Sequence, residues 1–223
     1  MSGGAFIRES WLPNVLKGTK NYSPSARKYI AANGGKEVVS FIVCREPVNS
    51  AITGALNLIS LGKFKEEQQK KGYDKFYHLS LVGTYKSGGQ FRIEKLSQIS
   101  IKSGGVPSGA ETVPAGSFAP VKLGDLLETA RRQTGDQGWF EYSAFDNNCQ
   151  KFVASVLKAC HAYTAPVKAF AYQDVEDLIK KQPSWVERVA RTATDLGSIA
   201  ELVINGAGLK HRGVLLRVLQ DVY

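Results

Sequence analysis

Apolar residues recur along this chain at two spacings, and the switch from one to the other marks its elements. Glu37–Arg45 (EVVSFIVCR) is dense in β-branched and aromatic residues and reads as a strand. Phe76–Val82 reads the same way, with His78 in its middle. Lys86-Ser-Gly-Gly89 then supplies a hairpin loop, and Phe91–Leu96 is the returning strand, continuing toward Ile101. Elsewhere the spacing is three and four. Val48, Ile52, Ala55, Leu56 and Ile59 form a helical stripe that Pro47 can start and Gly62 can end. Leu123, Leu126, Leu127 and Ala130 do so over Lys122–Thr134, with Gly135 as the stop. Phe152, Val153, Val156, Leu157 and Cys160 make one face of a helix that begins at Cys149.

Less regular stretches separate these segments. Residues 1–35 are punctuated by Gly3-Gly4, Pro13, Pro24 and Gly34-Gly35, with a short helix expected at Ser25–Ala32. Lys63–Lys75 mixes five lysines with Glu66, Glu67 and Asp74, a solvated helix or loop. Val106–Pro120, rich in proline and glycine, is expected to be an irregular surface loop. Beyond Cys160 come Pro166, a short helix at Gln173–Lys180, a run from Trp185 to Val203 and a last helix carrying Leu209 to Leu219. The chain therefore divides into an N-terminal arm (1–35), a central domain (36–165) and a helical extension (166–223).

Composition narrows the class. A hydrophobic share of 43% over 223 residues is that of a globular chain able to bury a core without staples. Neither a signal-peptide core nor an apolar run of the ~18 residues needed to cross a bilayer is present, so an intracellular, cytoplasmic setting is expected. Cys44, Cys149 and Cys160 are spaced for neither a disulfide framework nor a zinc site, and no cofactor is suggested. The net charge of +9 fits an anionic partner. No groove-reading or base-stacking motif accompanies it, so a nucleic-acid-binding module is the weakest reading.

Chemistry concentrates at Asp146-Asn147-Asn148-Cys149. Asp and Asn cap helix N-termini, and a thiol in the first turn beyond the cap has its thiolate favoured by the helix dipole. A cysteine nucleophile needs an imidazole to hold its proton and a polar group to orient that imidazole. Of three histidines, His161 lies roughly 18 Å down the same helix axis from Cys149 and His211 stands among basic residues. His78 remains as the base. Glu94, on the returning strand, is the expected orienting residue, with Gln90 on the same face as the alternative and Arg92 between them. Cys44, inside an apolar strand, reads as a buried structural thiol.

Tyr77-His78-Leu79-Ser80-Leu81, Phe91-Arg-Ile-Glu94-Lys95 and Asn147-Asn148-Cys149-Gln150-Lys151-Phe152-Val153 together resemble the permuted papain-like branch of the NlpC/P60 superfamily. Lecithin–retinol acyltransferase-like proteins belong to that branch, with His before Cys and an Asn-Cys-x-x-Phe-Val helix start. Large-DNA-virus and phage members look similar over a longer span that includes Arg45-Glu-Pro-Val48 and Ala55–Gly62. The resemblance covers Glu37 to Cys160. It implies an α+β fold with a small antiparallel sheet and a nucleophile helix packed on it, Cys149 as nucleophile, His78 as base and a third polar residue from the next strand. Many members carry a histidine in that third place, where this chain offers Glu94 or Gln90. The adenovirus-type protease shares the His, Glu, Cys order, but this chain has no tryptophan directly after His78 and no glutamine just upstream of Cys149.

Two functions follow as expectations. One is a thiol hydrolase or acyltransferase acting on a peptide or lipid-like acyl substrate through an amide, ester or thioester bond. The other is a minor virion component on the same scaffold, clasping capsid or other large-assembly neighbours with its basic arm and helical tail.

Overall fold

The computed structural model describes residues 22–48, 63–96, 98–142 and 148–174. The expected helix at 48–62, all but its first residue, and the expected helices from 175 onward lie outside the described residues. The protein is α+β. Six antiparallel strands form one open sheet, β1 (Glu37–Pro47), β2 (Tyr77–Tyr85), β3 (Gln90–Lys95), β4 (Ile99–Ser103), β5 (Glu111–Pro114) and β6 (Val121–Lys122). Their order is β4-β3-β2-β1-β5, with β6 beside the start of β1. Among the described residues five helices accompany them: α1 (Pro24–Asn33), α2 (Lys63–Lys70), α3 (Leu123–Phe140), α4 (Cys149–Ala159) and α5 (Ala165–Ala171).

The period-two pattern sorts each strand's side chains between two faces. Phe41, Val43, Leu79, Leu81, Phe91, Ile93 and Ile101 share one face and, with α1, α3 and α4, enclose the main core. α4 lies on β2 and β3, α3 lies on α4, and α1 spans β4 and α3. The apolar stripe read at Phe152, Val153, Val156 and Leu157 is the buried face of α4. Each such large apolar side chain contributes about 1.5–3 kcal/mol by leaving water. Gly83 on β2 has no room for a side chain: a methyl there would land on the Phe91 ring and 2.9 Å from Phe41 Cε1.

Several elements differ from the sequence expectation. β1 runs through Pro47, which sits opposite Tyr77 at the strand end instead of opening a helix. A proline is tolerated there because its nitrogen does not face β2, the next bond to that strand running from the Val48 N–H to the Phe76 carbonyl at 2.7 Å, and because β5 on the other side pairs no further than Arg45. The returning strand stops at Lys95, and Ile99–Ser103 turns back as a separate strand on the sheet edge. The loop expected at Val106–Pro120 contains β5, which pairs Glu111–Pro114 with Ile42–Arg45 despite the surrounding prolines and glycines. Gly135 does break α3, taking φ 77° and ψ 155°, yet the chain resumes helix as far as Phe140. Burial of Trp139 and Phe140 holds that last turn, and the Trp139 indole N–H donates to the Tyr22 hydroxyl at 3.0 Å. A helix expected only from Gln173 is preceded by α5, whose Val167 and Ala171 are buried. Among the described residues no helix is long and apolar enough to cross a membrane.

Candidate active site

α4 begins where the sequence placed it. Asn148 is its N-cap: Oδ1 accepts the Gln150 N–H at 2.9 Å and the Lys151 N–H at 3.3 Å. That cap leaves the N–H of Cys149, the first helical residue, unspent on the cap and close to its own sulfur. Asp146 and Asn147 lie outside the described residues.

The β2–β3 pairing stops at the Ser80–Glu94 rung. The next N–H on that edge of β2, from Leu79, donates to Cys149 Sγ at 3.5 Å. The start of α4 thereby reaches into the edge that β3 has left, beside His78. The His78 ring lies within electrostatic reach of the Cys149 thiol and hydrogen-bonds to Glu94. Its Nε2 lies 3.3 Å from Glu94 Oε2. His78, Glu94 and Cys149 are all buried, at 7%, 7% and 6% exposure. The three residues expected from the sequence are thus brought together. Gln90 is not with them. It lies at the exposed hairpin end of β3, where its amide donates to Thr84 Oγ1 at 3.3 Å.

The electrostatics favour the ionised triad. Burial alone would push the His78 imidazole down, but hydrogen bonds and charge from Cys149 and Glu94 outweigh it and hold it up at about 10. Burial would likewise raise the Cys149 thiol. The His78 hydrogen bond and charge, with the Leu79 and Cys149 N–H groups, lower it instead. Glu94 falls to about 2 against the opposing effect of burial, through His78, Arg92 and Lys102. Cys44 and Cys160 behave oppositely, each pushed up to about 11 chiefly by burial.

Several contributors were not legible in the motif. Arg92 Nη2 lies 3.4 Å and Lys102 Nζ 3.6 Å from Glu94 Oε1, so two cations hold the oxygen that does not face His78. Arg92 could be read from its place on the Glu94 face; Lys102 requires the β4 register that sets it opposite Arg92. Tyr142 stands within electrostatic reach of Cys149, and burial followed by the sulfur's charge raises its phenol, which keeps it a neutral hydroxyl. Of the other histidines, His161 is exposed, with φ 59°, just past the far end of α4, and His211 lies outside the described residues. Among the described residues no cluster of His, Cys, Asp and Glu is arranged to hold a metal ion.

The chain matches no protein-family model, no curated protein and no solved structure.

Proposed function

We propose that the protein is a thiol-dependent hydrolase or acyltransferase with a permuted papain-like core of the NlpC/P60 kind. One observation carries the reading: a lowered thiol at a capped helix start shares a histidine with a buried carboxylate. In this reading the Cys149 thiolate attacks the carbonyl carbon of an amide, ester or thioester. The carbonyl electron pair moves to oxygen, and the Cys149 N–H, at the positive end of α4, donates to that oxyanion. His78 gives its proton to the departing amine, alcohol or thiol as the carbon–heteroatom bond breaks, leaving an acyl-Cys149. Water or an acceptor nucleophile then attacks the thioester, loses its proton to His78 and frees the thiolate. Glu94 fixes the imidazole tautomer and stabilises the imidazolium without taking the proton.

The low exposure of the thiol, 6%, favours a second reading in which the same scaffold is architectural, as in a minor virion component. Iodoacetamide titration with mass mapping separates the two. The enzymatic reading expects Cys149 to alkylate first at neutral pH, ahead of Cys44 and Cys160, and an acetyl-Cys149 adduct after brief exposure to p-nitrophenyl acetate. Cys149→Ala should abolish both in a folded chain. Preferential labelling of Cys44 or Cys160, or a Cys149 rate that climbs only near pH 9, would remove the enzymatic reading.

A further inference from the structure

β2 carries the base, but among the described residues it has a strand on only one side near His78. β1 pairs with it as far as Pro47–Tyr77, whereas β3 leaves it after the Ser80–Glu94 rung. On the vacated edge, N–H groups two residues apart point the same way. The Leu79 N–H is taken by Cys149 Sγ. The Tyr77 N–H is taken by Oε1 of Gln173 at 3.2 Å, and Nε2 of the same side chain donates to the Lys75 carbonyl at 2.7 Å. The primary amide of Gln173 therefore stands where a neighbouring strand's peptide would, one rung before the nucleophile's sulfur.

The backbone of Gln173 completes a ring. Its N–H donates at 2.9 Å to Oε1 of Gln150, the buried residue that follows Cys149. One residue thus bonds both the nucleophile helix and the two peptides just ahead of the base, in the circuit Cys149–Gln150, Gln173, Tyr77–His78–Leu79 and back to sulfur. Its delivery is well anchored. α5 is buried through Val167 and Ala171, and the Arg45 guanidinium lies 4.3 Å from both the Phe170 and Tyr77 rings while donating to the Phe170 carbonyl at 3.1 Å. Asp174 extends the same seam, its N–H donating to Tyr73 Oη at 2.8 Å and its carboxylate meeting Lys71 Nζ at 2.9 Å.

We infer that Gln173 is a positioning residue for the Cys149–His78 pair, acting as a one-residue strand rung that fixes the base's strand against the nucleophile helix. The inference rests on the catalytic reading above and concerns a residue outside the segment that carries the family resemblance. Without the amide, residues 75–77 lose the Gln173 partner on that edge, and the imidazole is no longer held in place beside the sulfur. Displacements of ~1 Å suffice to cost such pairs on the order of 100-fold in rate.

The test is the pH dependence of Cys149 alkylation by iodoacetamide in the full chain, with near-UV circular dichroism confirming the fold. Wild type should show its acid limb well below that of an ordinary thiol. Gln173→Met, similar in length but without the amide, should move that limb upward and slow alkylation near pH 6.5 by about tenfold or more. Gln173→Glu, which keeps the acceptor for Tyr77 but opposes the Lys75 carbonyl, should fall between. Gln150→Met cuts the other link and should shift the limb in the same direction. A Gln173→Met profile superimposing on a wild-type profile with a low limb would overturn the inference and leave the catalytic reading standing. So would a Gln173→Met chain that cannot fold, beside a folded Gln150→Met chain of unchanged reactivity, since Gln173 would then be only a brace. A wild-type limb at the ordinary thiol position would remove both.

Discussion

At the scale of single residues, Glu94 decides how the pair titrates. One carboxylate oxygen meets His78 while Arg92 and Lys102 hold the other, so its charge stays fixed against the imidazole instead of turning to solvent. That charge is among the causes that hold His78 at about 10 against burial. Glu94→Gln removes it and keeps the size, so the imidazolium should lose its proton at lower pH. The alkaline limb of acyl transfer, or of esterase turnover, should move down from near 10, with little change at pH 6. An alkaline limb equal to that of wild type would show that Glu94 does not orient His78. Glu94 was legible because a hairpin places a carboxylate beside a strand histidine by register alone. Gln173 was not, because neither period nor spacing links it to His78. Its role comes from a vacated strand edge that only the three-dimensional path of β3 creates.

At the scale of elements, the strands that carry the pair are fixed by packing on the opposite face. Phe91 crosses β2 over Gly83 and contacts Phe41, Tyr29 and Tyr85, with ring centroids 6.1, 6.2 and 4.8 Å away. Gly83→Ala must displace that ring inside a filled core, which costs about 1–3 kcal/mol as overpacking usually does. Urea denaturation should show this loss with an unchanged slope; a change within ~0.5 kcal/mol would mean that the ring relocates freely. Helix α4 and hairpin β2–β3 could be read from sequence because their period, caps and Gly88-Gly89 turn agree locally, both glycines taking φ near 80° (83° and 80°). β4 and β5 could not. Ile99–Ser103 continues the apolar run of β3 with no strong turn residue between, and Glu111–Pro114 lies among loop-forming residues. Both are strands because the edges of β3 and β1 recruit them, a tertiary effect that no local propensity encodes.

At the scale of the whole molecule, the site's ion pair becomes a property of folding. The sign differs for its two members. Glu94, lowered to about 2 from an ordinary 4.5, adds stability that is complete above 4.5 and is lost as pH falls toward 2. His78, raised to about 10 from 6.5, adds stability that is complete below 6.5 and is lost as pH rises toward 10. Cys149 opposes His78 in part, because a lowered thiol binds fewer protons folded than unfolded, so the neutral range of wild type alone is a poor gauge of the pair. The net charge of +9 complicates the acid side similarly, since protonating any carboxylate adds to self-repulsion. Subtracting the stability of Glu94→Gln from that of wild type at each pH cancels most of both backgrounds. The difference should be widest between pH 4.5 and 6.5, where carboxylate and imidazolium are both charged in the folded chain and mostly charged in the unfolded one. It should narrow as pH falls toward 2 and again as pH rises toward 10. Thermal unfolding followed by circular dichroism across that range measures it. A difference that stays level through the acid side would mean that Glu94 is not an ion-pair partner in the folded chain, and a difference level from pH 6.5 to 10 would remove His78 from the pair.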